Sequence, residues 1–327
     1  MSKDSWRIVA RRTGGPEVLE REAFDPGPPG AGEVLVEHEA IGLNFIDTYF
    51  RTGLYMASLP TGLGAEAAGR ISAVGDGVAN LMVGGRVTYV SPSPGTYATH
   101  RRMPADRLLK LPDGISTETA AAVTLKGLTA AFLADDCAKM QKGQAALVHA
   151  AAGGVGAILV PWLTDKGVTV IAHSGSAEKA LRAKASGAAH SLHGNFADLA
   201  PAVRDLTDGK GVNVVFDGIG AASWTASLGS LAPRGLMVTF GNASGPVPPF
   251  SPLELSKGGS LFVTRPTLFD YIREDEDYRR LGASLFDRIA SGIVKPDINQ
   301  RFALADAAEA HRALEARQTV GSTVLIP

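Results

Sequence analysis

The sequence predicts an α/β protein of two domains, one β-rich and one built on a parallel sheet covered on both faces. Three observations carry this. At 327 residues the chain is too long for one comfortable core. Its first third reads as short strands between turns. From Gln144 onward, strands and helices alternate, which implies a parallel sheet with helices on either side.

In the first third, Val34, Val36 and Ala40 alternate with Glu33, Glu37 and Glu39, the period of a half-buried strand. Asp25–Gly30, rich in Pro and Gly, precedes it as a loop. Arg70–Val74 and Arg86–Val90 are further short apolar runs bounded by glycine turns, the pattern of a compact barrel-like domain. The texture changes near Ser116, a candidate N-cap with Glu118 in the first turn of an Ala-rich helix over Thr119–Leu133. Strands are expected at Ala145–His149, Val168–Ala172, Val212–Phe216 and Leu236–Phe240. Helices are expected at Val155–Thr164, Ala177–Ser186 and Ser223–Leu231. A charged helix over Tyr271–Ser291, an amphipathic helix over Ala305–Arg317 and a closing strand at Thr323–Ile326 complete the chain.

Ala145–Leu163 is nearly all apolar, but Gly153, Gly154, Gly156 and Pro161 break it and no basic flank follows. A buried strand, a glycine turn and a buried helix fit it better than a membrane span. The net charge of −1, with no long basic run, leaves no electrostatic footprint for nucleic acid. A single cysteine, Cys137, excludes a disulfide within the chain and a thiolate zinc cluster. With a start that lacks the apolar stretch of a signal peptide, it leads us to expect a cytoplasmic protein. Of seven histidines only His190 and His193 lie close in sequence, without an acidic or cysteine partner at ligand spacing. Polar loop or helix-end histidines are expected, and no metal. No Gly-x-Ser-x-Gly elbow or Walker motif is present.

The strongest local signal is the run Ala145 to Gly156, where Ala151-x-Gly153-x-x-Gly156 follows a strand and opens a helix. That is the setting of a dinucleotide-binding Rossmann fingerprint, with Ala in place of the first Gly. Gly153 would let the backbone approach a pyrophosphate, and Gly156 would let the helix pack closely on its strand. The next strand ends in Ala172-His173-Ser174-Gly175-Ser176, without the carboxylate that holds a ribose 2′-OH in NAD sites. Ser174, Ser176, Lys179 and Arg182 lie near instead, and hydroxyls with a cation suit the 2′-phosphate of NADPH. Lys179 and Arg182 could also simply solvate a helix face.

Nearly end to end, the chain resembles the NADPH-dependent quinone oxidoreductases, zinc-free members of the medium-chain dehydrogenase/reductase superfamily that includes zeta-crystallin. The matching motifs are Gly14–Leu19, Asn44–Tyr49, Gly62–Gly69, Leu125–Thr129, the Ala-Ala-Gly-Gly-Val-Gly turn, Phe240–Gly245, Val263–Pro266 and Gly321–Pro327. The resemblance implies a GroES-like domain formed by residues 1–122 and 266–327, with a Rossmann domain, 123–265, inserted between. It implies a homodimer, NADPH as cofactor and a small quinone as acceptor. Zinc-dependent relatives place Cys and His ligands near Asn44 and Ala65, and both are replaced here. Gly153, Gly154 and Val155 would contact the pyrophosphate; Gly175, Ser176 and Lys179 would surround the adenosine phosphate. Phe240, Gly241, Asn242, Val263, Thr264 and Arg265 would line the nicotinamide side, with Thr129 also a cofactor contact. Asn44, Tyr49 and Tyr55 would project from the other domain. The family's Tyr or His beside the 2′-phosphate aligns with Gly194, next to His193. Asn44, Tyr49 and Arg265 are the candidate catalytic residues. Tyr49 or Arg265 would hydrogen-bond the quinone oxygen as it gains charge, although Tyr49 could serve only packing and Arg265 only a cofactor phosphate. Reduction of enones or alkenals, or nucleotide or RNA binding without turnover, are the alternative activities.

Overall fold

The computed structural model describes residues 5–327. It divides into two compact units. The first comprises the chain up to Lys126, Asp275–Ala290 and Pro296–Pro327; the second comprises Gly127–Glu274 and Ser291–Lys295.

The first unit opens with β1 (Trp6–Ala10), β2 (Leu19–Ala23), β3 (Glu33–Leu43), α1 (Phe45–Thr52) and β4 (Thr61–Gly62). There follow β5 (Glu66–Val74), β6 (Arg86–Val90), β7 (His100–Pro104), β8 (Leu109–Lys110) and α2 (Thr117–Ala131). In β3 the expected alternation is met: Val34, Val36 and Ala40 are buried and Glu37 and Glu39 exposed. His38 takes the inward place between them. Ser116 caps α2, its Oγ accepting from Thr119 N at 3.0 Å. The boundary between units falls inside α2, which runs on into a π-turn over Phe132–Cys137.

The second unit holds β9 (Ala145–His149), α3 (Gly156–Asp165), β10 (Thr169–Ser174), α4 (Ala177–Ala185), β11 (His190–His193) and α5 (Leu199–Asp205). It continues with β12 (Val212–Asp217), α6 (Trp224–Ser230), β13 (Leu231–Thr239), α7 (Leu253–Lys257), β14 (Phe262–Thr264) and α8 (Leu268–Tyr271). Its sheet is parallel throughout, in the order β11-β10-β9-β12-β13-β14. Numbered within the unit, that is 3-2-1-4-5-6, the doubly wound order of dinucleotide-binding sheets. The apolar run 145–163 resolves into β9, the glycine turn and α3, with Leu147, Val148, Leu159 and Trp162 buried. Among the described residues no helix is long and apolar enough to cross a membrane. Tyr271 stacks on Phe132 (4.5 Å, 25°), which fastens α8 to this unit.

The chain then returns to the first unit with α9 (Asp275–Ala290), β15 (Ile298–Ala303), α10 (Ala307–Glu315) and β16 (Ser322–Ile326). β16 runs antiparallel to β3, Val324 opposite Gly42, within the order β15-β16-β3-β5-β6-β8; β7 also pairs with β3. The C-terminal strand thus completes the first unit's sheet, over a core that includes Val34, Ile41, Ile71, Val87 and Leu325.

The histidines depart from expectation. His38, His149, His173 and His311 are buried, not loop or helix-end residues. Hydrogen bonds compensate the burial of three of them: His38 to Ala98 O and Tyr89, His149 to Ser227, and His311 to Arg51 and Tyr97; His173 Nδ1 lies 3.4 Å from His149 Nδ1, and its Nε2 has no hydrogen-bond partner among the described residues.

Candidate functional site

In the second unit β9 ends at His149, and Ala150 follows with φ +48°. A left-handed alanine carries strain of about 1 kcal/mol, which tertiary packing must over-determine. Its carbonyl accepts from Gly153 N (2.8 Å), and Ala151 N donates to His173 O (3.1 Å), pinning the turn to both strands. Ala151, in place of the first glycine of the pattern, is fully buried. A Cβ on Gly156 would lie 2.4 Å from Ala150 O and 2.7 Å from Ala151 Cα, so the close approach of α3 to its strand requires glycine. Gly154 and Val155 sit at the N-terminus of α3, and their amides make no hydrogen bond among the described residues. Donors and the positive end of the helix dipole therefore face outward together.

At the end of β10, Ser174 is buried and its Oγ has no partner. A Cβ on Gly175 would meet no atom within 4 Å, so nothing in the chain's own packing demands a glycine there. Ser176 caps α4, its Oγ accepting from Lys179 N at 3.3 Å. Arg182 pairs with Glu178 along the same helix (3.4 Å). Gly194 follows β11 with φ +114°, again with open space at its Cβ position.

Farther along the same edge, a Cβ on Gly241 would stand 2.4 Å from Gly218 O, and one on Gly218 would meet the Phe240 ring at 3.2 Å. The loops after β12 and β13 are therefore in direct backbone contact. Arg265 Nη1 donates to Thr239 O (3.0 Å). With the Asn242 amide oriented to satisfy its neighbours, its oxygen accepts from Arg265 Nη2 (3.2 Å) and its nitrogen donates to Gly241 O (3.1 Å). Arg265 thus brings the segment Val263–Arg265 onto the loop Phe240–Asn242. Thr239 Oγ1 is a second buried polar atom without a partner on this edge. Thr129, half-buried on α2, belongs to the same unit.

In the first unit, Asn44 joins β3 to α1. Its N–H donates to Asp47 Oδ2 (2.9 Å) and its Nδ2 to Glu66 Oε1 (2.8 Å). Glu66 also accepts from Lys126 Nζ (2.7 Å) and Leu125 N (2.6 Å). Asp47 takes a further bond from the Tyr97 hydroxyl (2.9 Å), and burial pushes its carboxyl up to about 7. Tyr49 is 8% exposed and packs edge-on against Tyr55 (5.2 Å), whose N–H donates to Tyr49 O. Asn44, Tyr49 and Tyr55 are therefore gathered on α1 and its following loop. Sequence reasoning missed Glu66 and Lys126; the visible signal was one acid and one base, each isolated in an apolar motif. Asn44 and Ala65 are buried, and among the described residues no group of three or more His, Cys, Asp or Glu side chains could hold a metal ion.

Two family models match the chain: the alcohol dehydrogenase GroES-like domain over residues 30–113, and the zinc-binding dehydrogenase over residues 154–286. Quinone oxidoreductase from Pseudomonas aeruginosa is 48% identical over 98% of this chain and 99% of its own length. The crystal structure of Escherichia coli quinone oxidoreductase complexed with NADPH superposes with a TM-score of 0.95, at 44% identity, over 98% of this chain and 100% of that one. A 2-haloacrylate reductase from a Burkholderia species is 39% identical over 98% of each chain. With identity at this level along almost its whole length, the chain belongs to the quinone oxidoreductases of the medium-chain dehydrogenase/reductase superfamily.

Proposed function

We propose that the protein reduces quinones with NADPH and without a metal ion. The observation that carries this reading is the fingerprint turn on the first strand of a 3-2-1-4-5-6 sheet, followed by a second strand that ends without a carboxylate. The chain fits the dinucleotide in three places. The Gly154 and Val155 amides suit a pyrophosphate, the open position at Gly175 beside the unpartnered Ser174 hydroxyl suits a phosphorylated ribose, and the unpartnered Thr239 hydroxyl lies on the Arg265 side. Gly153, Gly154 and Val155 would hold the pyrophosphate, and Gly175, Ser176 and Lys179 the 2′-phosphate. Thr129, Phe240, Gly241, Asn242, Val263, Thr264 and Arg265 would face the nicotinamide. When bound, NADPH supplies hydride.

Two Arg265 nitrogens already bind the loop it faces, so we assign Arg265 to holding that loop. The donor to the acceptor's oxygen is then Tyr49, with Asn44 and Tyr55 shaping the acceptor side. A donor aimed at developing charge contributes about 100-fold in rate, so Tyr49→Phe should lose about that much in kcat with a benzoquinone. We further propose a cytoplasmic homodimer. β14 is the outer strand of the second unit's sheet, and its Phe262 is 61% exposed, an apolar edge that a second copy would cover.

The test is a titration of the purified protein with NADPH and NADH, run beside benzoquinone turnover before and after dialysis against a chelator. Tight NADPH binding with chelator-resistant turnover is expected; failure to bind either dinucleotide would overturn the reading. Likeness to a 2-haloacrylate reductase favours a second reading, reduction of an activated alkene by the same site. Parallel rates with a quinone and a haloacrylate separate the two.

A further inference from the structure

Beneath the fingerprint turn lies a buried polar chain that the proposed reaction does not use. Asp217, the last residue of β12, is wholly buried. Its Oδ1 accepts from Ile219 N (2.7 Å) and Gly220 N (3.1 Å), and its Oδ2 from Ser223 Oγ (2.6 Å) and Ser227 Oγ (2.7 Å). Ser227 Oγ also lies 2.8 Å from His149 Nε2, and His149 Nδ1 lies 3.4 Å from His173 Nδ1.

One hydroxyl proton fixes the direction of the chain. Ser227 donates to the carboxylate, so it must accept from His149 Nε2–H. Burial lowers the affinity of His149 for a second proton and brings His173 down to about 4, so both rings are neutral near pH 7. His149 Nδ1 is then an acceptor, which His173 fills when its proton sits on Nδ1; His173 Nε2 has no hydrogen-bond partner among the described residues.

Three members occupy strand ends, and Ser227 lies on α6. His149 is the last residue of β9, His173 the penultimate residue of β10 and Asp217 the last of β12. The main chain doubles the tie, because His173 O accepts from Ala151 N. Through Asp217 the chain reaches the Gly218–Gly220 turn, on which Phe240 and Gly241 pack. Pyrophosphate turn, adenosine-side strand end and nicotinamide-side loop are therefore joined by one buried hydrogen-bonded path.

We propose that His173, His149, Ser227 and Asp217 form a positioning relay that keeps these three segments of the second unit in mutual register for NADPH. The proposal rests on the NADPH reading above. Its members are positioning residues, since none is proposed to touch the cofactor.

The experiment compares wild type, Ser227→Ala and Asp217→Asn by NADPH titration of intrinsic tryptophan fluorescence, by thermal unfolding of the cofactor-free proteins, and by separate KM values for NADPH and quinone. Ser227→Ala cuts the path while leaving Asp217 bound to its turn. Asp217→Asn is isosteric, and its amide would reverse the proton on Ser227 and hence the histidine tautomers. In each variant Kd and KM for NADPH should rise about tenfold, with the quinone KM changing far less. Should both variants bind NADPH like wild type, whatever happens to their Tm, the relay is purely structural and the proposal falls. If Ser227→Ala does not fold, Asp217→Asn decides alone. Wild type that ignores NADPH would overturn the functional reading itself, an outcome distinct from any variant's behaviour.

Discussion

Lys126 Nζ donates to Glu66 Oε1 at 2.7 Å, and the two side chains are 6% and 0% exposed. An ion pair so deeply buried gives little net stability, but losing one partner leaves an uncompensated charge. Lys126→Met should therefore destabilise the protein by ~3 kcal/mol, and adding Glu66→Gln, which removes the charge but keeps an acceptor for Leu125 N, should recover part of that loss. Urea unfolding of the single and double variants checks it. A double variant no more stable than the single would show that the pair is net stabilising.

Two glycines of the nucleotide site should respond in opposite ways. A Cβ at Gly156 would enter the backbone of Ala150 and Ala151, whereas one at Gly175 meets nothing. Gly156→Ala should lower the Tm of the cofactor-free protein by several degrees, corresponding to about 2 kcal/mol. Gly175→Ala should leave that Tm in place and raise the KM for NADPH about tenfold, because there the space is kept for a ligand. Equal Tm losses for the two would mean that Gly175 is only structural.

Much of this was legible because it is local. The run Ala145–His149 and the turn after it are encoded by neighbouring apolar residues and glycines, and the strand begins and ends where its pattern does. Ser116 acts as the cap its position announces. Contacts made at long range were not legible. Glu66 and Lys126 lie 60 residues apart, and nothing near either names the other. His149 and His173 look like isolated polar residues until parallel pairing of β9 and β10 sets them side by side. β11, His-Ser-Leu-His, has no strand pattern because its place comes from pairing with β10 at the sheet edge. The π-turn at Phe132–Cys137 continues an apolar helical run, so only the hydrogen bond from Ala138 N to Leu133 O marks it.

Cofactor choice should be separable from cofactor binding at Lys179. Its backbone is fixed by the Ser176 cap, so the side chain starts from a defined point beside the end of β10. Lys179→Ala should raise the KM for NADPH about tenfold and barely change that for NADH, since only one of them carries the 2′-phosphate. Kinetics with both dinucleotides provide the check; equal losses would place Lys179 away from the phosphate.

Acid should unfold the protein well before its carboxylates are exhausted. His38 and His311 are each held at about 3 and His173 at about 4, in every case chiefly by burial. Above pH 6.5 these rings are neutral whether folded or not, and they cost nothing. As pH falls below 6.5, the unfolded chain takes up four protons that the fold refuses, because burial holds His149 down as well. His311 illustrates why: its Nδ1 accepts from Arg51 and its Nε2 bonds the Tyr97 hydroxyl, so a second ring proton would point at a guanidinium. Asp47 acts with the opposite sign. Its carboxyl is raised to about 7, so the fold holds a proton that the unfolded chain releases above the ordinary carboxylate value of 3.8, and that preference fades as pH rises through 7. Four protons against one leave about three net, or roughly 4 kcal/mol of stability lost per pH unit between pH 6 and 5. Asp47→Asn removes the opposing group, so its stability should fall more steeply with acid than that of wild type. Urea midpoints measured from pH 7 to pH 4.5 test both slopes, and a wild-type midpoint that holds or rises on acidification would mean that these histidines are protonated within the fold.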